Sequence, residues 1–191
     1  TYVGFKAGKG ASGADANNTA VGKDALLSIT TGNNNVAIGV GTGDAITDGI
    51  HNILVGSNAC GGAIIGGDYN VGMGGSALEQ LTTGNGNIGI GYNSGQSNTG
   101  ADYNVTVGHT AGNLTGIGNI AIGRYAVHGG GDGTYNVGVG FEAGKALTSG
   151  ANNVLIGNGA GKLVNVGDGN VLIGYSAGDV IEEGDNNVIV G

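Results

Sequence analysis

The segment Asn35-Val36-Ala37-Ile38-Gly39 recurs along the chain in variants of one pattern: Asn, a β-branched residue, a variable residue, Val, Ile or Met, and then Gly. We call the closing glycine the repeat glycine and count positions within each coil from it. The repeat glycines are Gly22, Gly39, Gly56, Gly74, Gly91, Gly108, Gly123, Gly140, Gly157, Gly174 and Gly191, and Gly4 closes one further copy. Most are 17 residues apart, although Gly123 follows Gly108 by 15. A fixed period of this kind is typical of repeat architectures. We therefore predict a single repeat array over residues 1–191, within a longer chain.

The composition excludes several classes of protein. The chain of 191 residues contains 46 Gly and no Pro, which disfavours both helices and collagen. Hydrophobic residues make up 39% and charged residues 10%, the reverse of what a disordered chain shows. The formal charge is −8 with only six Lys and Arg, so we expect neither nucleic acid nor an anionic membrane surface as a partner. No apolar run is long enough for a membrane span, and we expect no membrane insertion in this segment.

The pattern before each repeat glycine predicts a short β-strand. Apolar residues at positions −3 and −1 alternate with period two, and we expect them to fill the core of their own coil. Ala recurs at +3 and a larger apolar residue at +7, which suggests a second strand that returns across the same core. The repeat glycine itself is expected to have a positive φ or to lie too close to other backbone for a Cβ. The predicted fold is an all-β parallel β-solenoid of about eleven 17-residue coils.

Position −4 is Asn in every coil. In a solenoid, equivalent residues stack at about 4.8 Å, and an amide can both donate to and accept from its neighbours. We therefore predict a structural ladder of hydrogen-bonded amides, formed by Asn18, Asn35, Asn52, Asn70, Asn87, Asn104, Asn119, Asn136, Asn153, Asn170 and Asn187.

Position −2 carries no charge in any coil, so the second face of the strand is expected to be covered as well. Coils this small bury little apolar surface alone, so sister chains are the simplest explanation for what buries this second face. The predicted subunit interface contains Ala37, Leu54, Ala121, Leu155 and Leu172.

Four segments carry resemblances to known families. Asn35–Gly39, Asn119–Gly123 and Asn18–Ala25 resemble the head repeats of YadA-like trimeric adhesins, and Thr30-Thr31-Gly32-Asn33-Asn34 resembles arrays in phage tail fibres. The resemblance covers the whole chain, although these coils are longer than the shortest head repeats. It implies a left-handed parallel β-roll assembled as a homotrimer.

No pattern of residues predicts an active site, a cofactor or a metal centre. His51, His109 and His128 occupy three different repeat positions, so we expect surface or loop histidines. Cys60 stands where other coils have Gly, Leu or Val, which predicts a buried thiol.

Position −6 carries Asp in several coils, namely Asp68, Asp102, Asp168 and Asp185. We interpret them as turn residues, with a structural ion as the alternative. The stretch Gly129–Gly133 is partly similar to a calcium-binding nonapeptide, but it occurs once and the period differs.

The residues that directly follow the repeat glycine vary most and include aromatic and basic side chains. Exposed aromatic rings are suited to binding sugars. A host-surface glycan or protein receptor is therefore a possible partner, with sugar contact at Tyr92, His109, Arg124, Phe141 and Tyr175. Tyr69, Tyr103 and Tyr135 form a second aromatic set at position −5, for which simple packing is the alternative.

The function predicted from these features is non-enzymatic. We expect a structural fibre segment that extends and presents a host-attachment surface, in a phage tail fibre and hence extracellular on the virion. The alternatives are the head of a bacterial trimeric autotransporter adhesin at the cell surface and an ice-binding solenoid, although the Thr residues keep no regular register. A glycosidase would need paired carboxylates on one face, and only Glu142 and scattered Asp are available.

Overall fold

The computed structural model describes residues 1–11, 17–62 and 66–191, and it is a parallel β-solenoid of about eleven coils. These described ranges contain no helix. One short strand per coil forms a single sheet of twelve strands in chain order. The strands are β1 (Tyr2–Val3), β2 (Thr19–Val21), β3 (Val36–Ile38), β4 (Ile53–Val55), β5 (Val71–Met73), β6 (Ile88–Ile90), β7 (Val105–Val107), β8 (Ile120–Ile122), β9 (Val137–Val139), β10 (Val154–Ile156), β11 (Val171–Ile173) and β12 (Val188–Val190).

The register follows the repeat without slipping. Ala37 pairs with Leu54, which lies 17 residues later, and Leu54 pairs with Gly72, which lies 18 residues later. Thr106 pairs with Ala121 across the 15-residue coil. The changes in coil length therefore fall outside the strands, and like positions stay stacked in the sheet.

The repeat glycine has the backbone geometry that its recurrence predicts. Its φ lies between 127° and 141° in all twelve copies, a region that side chains rarely adopt. A Cβ built on Gly74 would also lie 2.5 Å from the carbonyl oxygen of Gly91 in the next coil. Both expected reasons for glycine are confirmed at this position.

The prediction of which strand face fills the core was wrong. The middle residue of each strand, at position −2, points into the coil, and Leu54 and Leu155 are fully buried there. The residues at −3 and −1 point outward, with Ile38 at 42% and Ile53 at 46% exposure. The predicted subunit interface is therefore wrong too, because Ala37, Leu54, Ala121, Leu155 and Leu172 have no exposed surface to offer a sister chain.

Position −2 is buried because it packs against position +4 of the preceding coil, and the two positions complement each other in size. Leu54 and Leu155 point at Gly43 and Gly144, where a Cβ would lie 3.0 Å and 2.6 Å from a leucine methyl group. The relation reverses in other coils, where the large residue stands at +4. Leu78 faces Gly89, and a Cβ there would lie 2.7 Å from Leu78 Cγ. The combined volume of the side chains at positions −2 and +4 therefore stays small enough for one thin core.

The expected second strand is replaced by stacked turns. Positions +2 and +4 both have positive φ, as in Asp24 at 58° and Leu26 at 49°, so the backbone cannot stay extended. Successive coils still bond to each other there: the Leu26 N–H donates to the Thr42 carbonyl at 3.0 Å. The core lies between the strands on one side and these turns on the other.

Candidate functional site

The Asn ladder is present in the structure. Ten of its residues are buried, including Asn104 and Asn119 at 2% exposure each, and Asn187 in the last coil is half-buried. Each Oδ1 from Asn18 to Asn170 accepts a hydrogen bond from the backbone N–H of the next Asn, as Asn119 accepts from Asn136 at 3.0 Å. In many coils the next Nδ2 also donates to the same oxygen, at 3.1 Å for this pair.

The same amides also hold a turn of the following coil. Asn136 Nδ2 donates to the Gly150 carbonyl at 2.8 Å, and Asn153 Nδ2 donates to the Gly167 carbonyl at 2.8 Å. These carbonyls lie at position −7, three residues before the next Asn. One side chain thus binds two backbone groups of its neighbour, which explains why the position requires both a donor and an acceptor.

Position −6 forms a second ladder that runs in the opposite direction. Asp68 Oδ1 accepts from the Ile50 N–H at 2.8 Å, and Asp102 Oδ1 accepts from the Asn85 N–H at 2.7 Å, both in the preceding coil. Asp168 and Asp185 act in the same way. Their carboxylates thus bond backbone amides at the turns, as the turn interpretation predicts. Within the described ranges, no group of three or more His, Cys, Asp or Glu residues could hold a metal ion.

The outward face of the sheet is a long apolar surface, which we call the sheet face. It is formed by positions −3 and −1 of β2 to β12, which hold only Val, Ile and Met apart from Thr19. Many of these side chains are exposed, among them Met73 and Ile122. At about 4.8 Å per strand the sheet face extends for about 50 Å. Contiguous apolar surface of this kind marks an interaction site in a folded protein.

A second surface lies beside the turns and consists of aromatic and basic side chains in neighbouring coils. Tyr92 and His109 lie 5.4 Å apart between ring centroids, and His109 lies 5.9 Å from Tyr125. The Arg124 guanidinium is 4.7 Å from the Tyr125 ring and 5.9 Å from the Phe141 ring. Lys145 Nζ is 5.5 Å from the Tyr125 ring. We call Tyr92, His109, Arg124, Tyr125, Phe141 and Lys145 the ridge.

Charged groups beside the ridge form a small network. Glu142 accepts from Lys145 and pairs with Lys162, both at 2.6 Å, and these two bonds hold the pKa of its carboxyl below the ordinary value. His128 packs against Tyr125 with centroids 5.5 Å apart. Its pKa is lowered by burial and, to a smaller extent, by the charge of Lys145.

The structure brings together four of the five residues predicted for sugar contact: Tyr92, His109, Arg124 and Phe141. Tyr175 lies two coils further on at 79% exposure. The predicted list of sugar-contact residues omits Tyr125 and Lys145, which belong to the same surface. The available signal was the repeat itself: positions +2 and +5 meet within one turn, as in Glu142 and Lys145, and stacking then places Lys145 beside Tyr125 of the preceding coil.

The aromatic residues at position −5 form a separate column. His51 stacks on Tyr69 with ring centroids 5.1 Å apart and planes 5° from parallel. The ring of Tyr103 leans over Gly86 in the preceding coil, and that of Tyr135 leans over Gly118. These rings pack along the rod, and most of each Tyr side chain remains exposed.

The predicted environment of Cys60 is confirmed. The thiol is fully buried, and burial raises its pKa. It contributes to the thin core at position +4, where a Cβ on Gly72 would lie 3.6 Å from Sγ. The described part of the chain contains no helix that is long and apolar enough to span a membrane.

Comparisons with known proteins assign the chain to no family. The chain matches no family model, no curated protein and no solved structure.

Proposed function

We propose that this chain is a non-enzymatic structural segment of a fibre, which assembles with sister chains through the sheet face and extends a host-attachment surface. The single observation that supports this role is the uncharged outward face of the twelve-stranded sheet. A globular partner would contact only part of a surface about 50 Å long. A second copy of the chain matches its whole length, since both carry the same repeat.

Three copies are the proposed assembly. Closed rotational symmetry buries the same face on every subunit, and three flat faces around one axis leave none exposed. The head repeats that the chain resembles belong to trimeric adhesins, which supports three copies over two. The fibre would then be a rod whose turns, including the ridge, face outward.

A phage tail fibre is the proposed setting, and the chain would be extracellular on the virion. The Thr-Thr-Gly-Asn-Asn segment at residues 30–34, which resembles tail-fibre arrays, supports this choice. The head of a bacterial adhesin at the cell surface remains the second candidate, because it would use the same fold and the same face. An ice-binding role gains no support, since Thr19 is the one Thr at the outward positions of β2 to β12.

The test places one charge on the sheet face. Ile122→Lys puts an ammonium group at the centre of the buried assembly, where an unpaired charge is strongly unfavourable. The parent chain is expected to have the mass of a trimer by light scattering. Ile122→Lys is expected to shift it to the monomer mass while the circular dichroism spectrum stays unchanged.

Asn158→Lys is the matched control, because Asn158 is exposed at the turn side of the rod. It should assemble as the parent does. A parent chain that is monomeric at all concentrations, or an Ile122→Lys variant that assembles equally well, would overturn the proposal. A parent with the mass of a dimer would support the sheet face as the interface and change the number of subunits from three to two.

A further inference from the structure

We infer that the ridge is a binding site for an acidic polysaccharide, one whose sugar units carry carboxylate groups. The ridge occupies positions +1, +2 and +5, beside the turns, whereas the sheet face occupies positions −3 and −1. The inference therefore concerns a different surface from the proposed assembly.

The aromatic part of the ridge is suited to the apolar faces of sugar rings. Tyr92 is 57% exposed and Phe141 is 42% exposed, and His109 is exposed between them along the chain. Aromatic side chains present a flat apolar body, and Tyr adds a polar tip that hydroxyl groups can reach. The rings belong to four consecutive coils, so a linear polymer could contact them along the rod.

The basic part of the ridge supplies the preference for an anion. The Arg124 guanidinium lies beside two rings and forms no ion pair with any of the described residues. Contact with these rings restrains the guanidinium, and its N–H groups suit the bidentate contact that a carboxylate favours. Lys145 adds a second cation, although it shares Glu142 with Lys162.

Acidic polysaccharides fit this combination better than nucleic acids do. The ridge offers only two cations, in a chain with a formal charge of −8, and the affinity for nucleic acid grows with the number of phosphates neutralised. A uronic-acid polymer instead combines apolar ring faces with single carboxylates, which matches a row of aromatic rings with two cations beside it.

The experiment measures binding of the 191-residue chain to immobilised polygalacturonate by biolayer interferometry. Fully methyl-esterified polygalacturonate has the same backbone without the charge and serves as the neutral probe. The parent is expected to bind the acid form and to lose about tenfold or more in affinity on the ester. A double variant, Arg124→Asn with Tyr125→Asn, is expected to lose binding to the same extent.

The variants use residues that the repeat already accepts at these positions. Asn158 stands at +1 and Asn93 at +2, where Asn93 adopts a positive φ of 53° much like Tyr125 at 57°. Lys23→Asn is the control, because Lys23 is exposed at +1 in a coil that lies four repeats before Tyr92. It removes the same charge and should leave binding unchanged.

Several results would overturn the inference: no binding by the parent, equal binding to acid and ester, or an equal loss with Lys23→Asn. Tighter binding to single-stranded oligodeoxythymidylate than to polygalacturonate would overturn it as well. Light scattering on the same samples reports assembly separately. An assembled parent that does not bind would refute this inference and leave the proposed function standing.

Discussion

At the residue scale, the Asn at position −4 is the most constrained side chain of the coil. Its oxygen accepts the backbone N–H of the next coil, and its nitrogen donates to the carbonyl at position −7 of that coil. Leu offers neither group, and a carboxylate lacks the donor. Removing the amide at a buried position therefore leaves backbone groups unpaired.

Asn136→Leu tests this role at the centre of the ladder. The variant removes the partner of the Asn153 N–H and of the Gly150 carbonyl, both inside the protein. We expect the free energy of unfolding to fall by about 1–3 kcal/mol. Urea titration followed by circular dichroism measures the change, with Asn158→Leu as the exposed control. An equal effect of the two substitutions would contradict a structural role of the ladder.

At the element scale, strands and turns are matched through the complementary sizes of positions −2 and +4. Leu155 in β10 lies over Gly144 in the preceding turn, whereas Gly89 in β6 lies under Leu78. Leu78 adopts a positive φ of 53°, close to the 60° of Gly144, so the backbone of the turn is the same for both residues. The size of the residue opposite therefore decides whether position +4 holds Leu or Gly. The pair, rather than the single residue, is the unit that fills the core.

A swap of one such pair tests the relation. Leu155→Gly alone should lower the free energy of unfolding by about 2–5 kcal/mol through the cavity it leaves. Gly144→Leu alone should cost about 1–3 kcal/mol through overpacking. The double variant should be more stable than the sum of the two losses predicts, with a coupling of about 0.5–3 kcal/mol. Denaturant unfolding of all four proteins measures the coupling, and strictly additive losses would contradict the size relation.

At the scale of the whole molecule, the rod carries two surfaces with different physics. The sheet face is apolar and uncharged, so contact through it depends on water exclusion. The ridge combines rings with two cations, and part of any binding there is electrostatic. Salt screens the second kind of interaction and leaves the first almost unchanged.

Raising the NaCl concentration to about 1 M, where the Debye length is about 3 Å, should separate the two surfaces. The proposed assembly should keep its mass in light scattering, while binding to polygalacturonate should fall by about tenfold or more. Cooling should weaken the assembly, because hydrophobic association loses strength at low temperature. Dissociation of the assembly by salt alone would indicate that charged contacts hold it instead.

The sequence by itself determined the solenoid, the stacking of like positions and the Asn ladder. A strict period places each residue beside its counterpart in the next coil, and the local pattern at Asn35–Gly39 already specifies a strand and a turn. Stacked amides inside such a structure have few bonding partners other than each other and the neighbouring backbone. These features follow from local chemistry and repetition alone.

Only the tertiary structure decided which strand face lies inside, what returns the chain and which side chains form the ridge. A three-residue strand such as Ile53-Leu54-Val55 is apolar throughout, so its alternation cannot indicate the inner face. That choice depends on the volume available opposite it, at Gly43. The returning segment is a turn because Leu26 adopts a positive φ, which the preferences of leucine do not favour. The ridge depends on that turn, since its geometry brings Tyr125 and Lys145 of successive coils together.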